Sequence, residues 1–120
     1  LGVVRGHGVE LVLTLGTGMG AALFSEGVLV PNLELGHHPL REGKTYEDLV
    51  RDSELKAIGA VAWTARVLNA LEQIEPIFNY DLLHLGGGNV QNLQAELPEN
   101  ARVFSLAEAM RGALKLWDGV

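Results

Sequence analysis

Leu13-Thr-Leu-Gly-Thr-Gly-Met-Gly20 is the most informative stretch of this 120-residue chain. Taken as G-x-G-x-x-A over residues 16–21, it satisfies a dinucleotide-binding fingerprint, but that reading needs a helix opening at Gly20. Such a helix would meet Gly27 within two turns and then the β-branched run Gly27-Val-Leu-Val30. The stretch is therefore read as a hairpin, with residues 9–15 as one strand, 19–24 as its partner and 27–30 as a third strand of a small meander. Gly16 and Gly18 are expected in conformations open only to glycine, with Thr14 and Thr17 presenting hydroxyls beside free backbone N–H groups. A concave set of N–H groups suits phosphate oxygens, and a tight turn without a ligand is the alternative.

Glycine is concentrated elsewhere too. Of 15 glycines, three lie in this hairpin and three more in Gly86-Gly-Gly88, so the excess is local and is neither a collagen repeat nor a flexible linker. Asp81-Leu-Leu-His-Leu85 reads as a buried strand running into the second cluster, and a helix over residues 90–97 would start beyond it. Glycines between a strand and a helix place free N–H groups at the carboxyl edge of a sheet, where α/β proteins bind ligands. Close strand–helix packing is an equally good reading of that cluster alone.

Between the two clusters, Pro31, Asn32, Gly36 and Pro39 mark a loop that carries Glu34, His37 and His38. A short helical piece is expected over 46–50, and Ser53 is read as the N-cap of a long helix that Pro76 ends near Ile74. Ile58, Val61, Ala65 and Leu68 form one stripe of that helix and Trp63, Val67, Leu71 and Ile74 another, which predicts burial on two sides. After the turn at Pro98, residues 101–104 read as a strand and Ser105 as the N-cap of a helix over 106–117, with Glu108 completing a capping box. The order is hairpin, helices, then βαβα, and the last strand pair should be parallel.

Glu34, His37 and Glu47 are candidates to grip vicinal hydroxyls, since a carboxylate accepts two hydrogen bonds, or to ligate a metal. A loop histidine and a helix N-terminal charge are the plainer readings of His37 and Glu47. Asp48, Asp52 and Glu54 read as a solvated acidic face, and Trp63 and Trp117 as core anchors.

Composition excludes several classes. A 48% hydrophobic and 20% charged chain can bury a core. Its longest run free of charge, residues 11–25, falls short of the ~20 apolar residues that span a bilayer. A net charge of −6, with no Lys or Arg between Arg66 and Arg102, leaves no basic stripe for nucleic acid. No cysteine is present, so neither disulfides nor thiolate metal sites are expected, and a reducing cytoplasm is the expected compartment. The sequence opens at Leu1 and enters a strand almost at once, which reads as a piece of a longer chain.

Leu15-Gly-Thr-Gly-Met-Gly-Ala-Ala-Leu-Phe24, Gly27-Val-Leu-Val-Pro-Asn32, Glu34-Leu-Gly-His37, Tyr46-Glu47, Leu85-Gly-Gly-Gly-Asn89 and Gly112-Ala-Leu-Lys-Leu-Trp117, in this order, resemble the ROK family of sugar kinases and sugar-responsive repressors. The glucokinase and polyphosphate-glucokinase branch is the nearest in pattern. The resemblance implies an actin-like, ribonuclease-H-like ATPase fold of class α/β, with residues 1–120 as its C-terminal lobe. It also implies that Glu34, His37 and Glu47 hold sugar hydroxyls, that Gly16, Thr17 and Gly18 form a phosphate-binding hairpin, and that Gly86, Gly87 and Gly88 border the phosphoryl donor. A hexose, most simply glucose, would be the acceptor, with Mg²⁺ and either ATP or polyphosphate on the donor side. Many family members carry a cysteine-rich zinc segment before the position of Glu47; this sequence has none, so no zinc is expected at His37. The family's first phosphate loop and catalytic aspartate would precede Leu1, so no catalytic base is expected in this chain, which should be inactive without its N-terminal lobe. An apolar face left by that lobe predicts self-association. A sugar-sensing module of a repressor is the alternative the resemblance allows.

Overall fold

The computed structural model describes residues 3–31 and 33–105. Strand β1, Val9–Leu15, has a period of two that sorts its side chains between two cores. Leu11, Leu13 and Leu15 face the main core with Trp63, Val67, Leu71, Ile74, Leu83 and Leu85, while Val12 packs on the other face with Phe24 and Phe104. Strand β2, Met19–Ser25, returns antiparallel to β1, and β3, Val28–Val30, pairs antiparallel with β2. The expected meander is therefore present, and a dinucleotide-type helix after Gly20 is excluded. Glu26 and Gly27 both have positive φ, 51° and 78°, the pairing that lets a two-residue turn follow the right-handed twist of its strands.

The loop after β3 holds more structure than expected. Leu35–His37 forms a 3-10 turn, and β4 (Pro39–Arg41) and β5 (Lys44–Thr45) form a minute hairpin over Glu42 and Gly43, both again at positive φ. Helix α1, Tyr46–Val50, occupies the expected span and is capped by Thr45, whose hydroxyl accepts from the Asp48 N–H at 3.1 Å while Asp48 accepts from the Thr45 N–H at 3.0 Å.

The long helix expected from Ser53 is instead two. Helix α2 is Asp52–Ile58 and α3 is Ala60–Phe78, divided by Gly59 at φ 86° and ψ 166°, which no β-carbon-bearing residue adopts readily. Pro76 does not end α3. It sits in the final turn, where only the Glu72 carbonyl loses its partner, and Asn79 in a left-handed conformation closes the helix. Burial is also one-sided. Trp63, Thr64, Val67, Ala70, Leu71 and Ile74 are buried, but Val61 is 72% exposed and Ala65 lies in solvent, because α3 has the sheet on one flank only.

Trp63 is fully buried, as expected of an anchor, and its indole N–H donates to the Val50 carbonyl at 2.9 Å. Trp63→Phe leaves that buried carbonyl unpaired and is expected to lower stability by about 1–3 kcal/mol in urea unfolding. A change below a few tenths would mean that the bond contributes nothing.

Strands β6, Leu82–Gly86, and β7, Ala101–Val103, complete a mixed sheet ordered β3-β2-β1-β6-β7, with β1, β6 and β7 mutually parallel. The parallel pairing agrees with expectation, whereas the helix over 90–97 does not form. A 3-10 turn at Val90–Asn92 stands there, and the chain then extends because the Gln94 N–H is taken by the Thr64 hydroxyl of α3 at 3.1 Å. The expected helix over 106–117, its capping box and Trp117 lie outside the described residues, as does Asn32. Among the described residues, no helix is long and apolar enough to cross a membrane.

Candidate functional site

Parallel pairing brings both glycine clusters to one edge, since Thr14 of β1 registers with Gly86 of β6. Gly16, Thr17 and Gly18 form the β1–β2 turn, closed by a Gly16 N–H to Gly18 carbonyl bond of 3.0 Å. The expected positive-φ conformations at Gly16 and Gly18 are not found. Glycine is needed at 18 for space, because a β-carbon there would run into the Glu47 carboxylate, while a β-carbon at 16 would meet nothing. The N–H groups of Thr17 and Gly18 have no hydrogen bond among the described residues, which leaves them free to meet an anion.

Glu47 lies on α1, directly against this turn. Its Oε1 accepts the Met19 N–H at 3.1 Å, and its Oε2 stands 3.8 Å from His37 Nε2 and 3.9 Å from an Arg51 guanidinium nitrogen. Gly36 makes the approach possible, since its α-carbon side has the Met19 carbonyl and Glu47 Cβ as close neighbours. His37 and Glu47 are thus drawn together by the short Leu35–His37 turn and the capped α1. Glu34, which caps that turn and accepts the His37 N–H through its carbonyl at 3.0 Å, is exposed and forms no ion pair with His37. His38 is exposed as well.

Gly87 has φ 95° and sits so close to the Leu15 backbone that no side chain fits. Gly86 is similarly covered by the Phe104 ring, whereas Gly88 faces open space. The 86–88 turn therefore owes its glycines to close packing at two positions and to neither at the third. Since no α-helix follows it, it carries no helix dipole. An open cleft of about 710 Å³ lies beside it, bordered by Thr14, Gly87, Gly88, Gln91, Val103 and Phe104. Among the described residues no group of three or more His, Asp or Glu side chains could hold a metal ion.

No family profile matches the chain. Over 83 residues, 68% of its length, it is 36% identical to the polyphosphate glucokinase of Mycobacterium tuberculosis, and 35% identical to that of Mycobacterium leprae. These stretches amount to 31% and 25% of the two relatives, so the match spans only a quarter to a third of the length of these curated proteins. It superposes on the inorganic polyphosphate/ATP-glucomannokinase of Arthrobacter sp. strain KM with a TM-score of 0.68 at 25% identity, covering 93% of this chain and 49% of that one. The ROK family glucokinase of Streptomyces griseus, solved with glucose and AMPPNP, gives 0.61 at 14% identity over 93% of this chain and 61% of that one, a likeness of fold alone. Polyphosphate glucokinases among its relatives and ROK kinases among its structural neighbours support reading the chain as a segment of the ROK type. Its sheet and helices are part of the actin-like ATPase fold found in ROK kinases.

Three features of this chain had no clear signal in the sequence. Asp52, read as surface charge, bridges Lys56 at 2.9 Å and Asn89 at 3.1 Å, and the neighbouring acids are paired too, Asp48 with Arg51 and Glu54 with Arg66. Asn89, quoted only as the end of a glycine motif, reaches the hairpin turn. Glu10 and His84 form a buried pair at 2.9 Å, some six residues and ~20 Å of strand away from the turn. An acidic residue at the start of β1 and a histidine inside β6 were the available hints; only the β1–β6 register places them together.

Proposed function

We propose that this chain is the C-terminal lobe of a hexose kinase that takes a phosphoryl group from ATP or polyphosphate and passes it to glucose. The observation that best supports this is the contact between Glu47 and the hairpin, because phosphoryl transfer needs an acceptor hydroxyl held beside a phosphate cradle. Glu34, His37 and Glu47 hold the sugar in this reading. The Thr17 and Gly18 N–H groups receive the oxygens of the transferred phosphoryl group, and the 86–88 turn borders the rest of the donor. The acceptor oxygen bonds to phosphorus as the bond to the bridging oxygen breaks. The proton of that hydroxyl goes to a carboxylate supplied by the other lobe.

The side chains described here do not form a Mg²⁺ cage. A magnesium ion would come on the donor phosphates, as Mg²⁺ usually does.

Glucose titrated calorimetrically into the chain is expected to bind, and Glu47→Ala to weaken binding by at least tenfold, the value of one hydrogen bond to a charged group. With ATP or polyphosphate added, the chain alone should give no sugar phosphate. Turnover by the chain alone, or unchanged glucose affinity in the variant, would remove the basis of this reading.

A further inference from the structure

We propose that Asp52 and Asn89 are positioning residues that lock the 16–18 turn to the 86–88 turn, so that both turns meet one anionic donor. The inference rests on the kinase reading above and names a role for two residues outside the sugar and glycine motifs.

Two connections support it. The first runs through the peptide planes of the hairpin. The Asp52 N–H donates to the Gly16 carbonyl at 3.1 Å and to the Thr17 carbonyl at 3.4 Å. In a trans peptide the carbonyl of one residue and the N–H of the next point in opposite directions. Holding these two carbonyls toward α2 therefore turns the Thr17 and Gly18 N–H groups away from it, and neither of those donors has a hydrogen bond of its own among the described residues. The orientation of the cradle is thus set by the backbone of Asp52.

The second connection is the Asn89 amide. Its Nδ2 donates to Asp52 Oδ1 at 3.1 Å and to the Gly16 carbonyl at 3.4 Å, its Oδ1 accepts from Asn92 at 3.4 Å, and its backbone N–H donates to the Leu15 carbonyl at 2.9 Å. Reversing the amide would aim an oxygen at two acceptors, so the network fixes which end faces Asp52. Asp52 Oδ2 is meanwhile bound to Lys56 at 2.9 Å. Hydrogen bonds from Lys56 and then Asn89 hold the Asp52 carboxyl below the usual carboxylate range, so it accepts as an anion at neutral pH. One charge-assisted chain, Lys56 to Asp52 to Asn89 to Gly16, thereby spans from α2 to both glycine turns.

The test uses inorganic tripolyphosphate and glucose, each titrated calorimetrically into the chain and into Asn89→Ala, Asn89→Asp and the double variant Asn89→Asp/Asp52→Asn. Asn89→Ala is expected to weaken tripolyphosphate about tenfold and to speed amide exchange at Thr17 and Gly18, with glucose affinity unchanged. Asn89→Asp should be worse, because two carboxylates then face each other. The double variant should recover part of the loss by restoring one donor and one acceptor. Equal tripolyphosphate affinity in wild type and Asn89→Ala overturns the proposal. So does a parallel loss of both ligands with a lower urea midpoint, which is the signature of a merely structural role. Glucose binding without any tripolyphosphate binding by the wild type also overturns it while leaving the acceptor reading intact, and binding of neither ligand removes the kinase reading and this inference with it.

Discussion

Gly87→Ala is expected to destabilise the fold by about 3 kcal/mol and to part the two glycine turns. Two costs coincide at this position. Its φ of 95° is one that an L-residue holds only under strain, of the order of 1–3 kcal/mol. A β-carbon would also stand 2.5–2.9 Å from the oxygen, nitrogen and carbonyl carbon of Leu15. Those are backbone atoms of a central strand, paired on both sides, and they cannot give way as a side-chain tip can, so overpacking adds a further ~1–3 kcal/mol. Gly88→Ala is the control. Nothing lies within 4 Å of its would-be β-carbon and its φ is not in the left-handed region, so its effect on stability should stay within about 0.5 kcal/mol. Urea unfolding of both variants decides the matter, and equal midpoints would contradict the packing argument. Two adjacent glycines that look interchangeable in the sequence are thus assigned different tasks.

Glu10→Ala is expected to cost about 1–3 kcal/mol, the range for leaving buried hydrogen-bond donors without their acceptor. Glu10 is 1% exposed and accepts from the Arg5 N–H at 2.8 Å, the Gly6 N–H at 3.1 Å and His84 Nε2 at 2.9 Å. Removing the carboxylate strands all three donors and frees the segment before β1. No buried side-chain nitrogen or oxygen among the described residues lacks a partner, so this variant would create the first.

The pair also gives stability a pH dependence of known sign. Burial pushes the Glu10 carboxyl up, but the bonds from Arg5, His84 and Gly6, with the charge of His84, outweigh it and hold the group below its usual value. A group depressed in the folded state stabilises fully above its unfolded pKa, about 4.3 for glutamate, and loses that contribution as pH falls through the lower folded value. Acidification below about pH 4 should therefore erode stability in the wild type, and Glu10→Gln should flatten that limb of the profile. An identical acid limb in the variant would exclude Glu10 as its source.

How much of this could be read from sequence depended on the range over which each signal acts. The β1–β2–β3 meander was legible because strand patterning and the placement of glycine are local, and so was α1 with its short span. The break at Gly59 was not, since a glycine inside an apolar helical period looks tolerable until its conformation is known. The missing helix over 90–97 failed for a tertiary reason, the capture of the Gln94 N–H by Thr64. Among the candidate site residues, the glycines, Glu34, His37 and Glu47 were visible as motifs, but the backbone conformations expected of Gly16 and Gly18 were wrong. Gly18 answers to the Glu47 carboxylate and not to a backbone angle, a contact between residues far apart in the chain that composition does not encode.

The sequence by itself determined that the chain is an α/β segment resembling the ROK family, because the ordered motifs and the alternation of apolar residues are properties of the linear string. Only the tertiary structure decided that one carboxylate touches the hairpin, that Asp52 and Asn89 join the two turns, and that Glu10 is buried against His84. Each of those contacts depends on strand register and on the turn between α1 and α2, and register is a long-range choice made by the whole core.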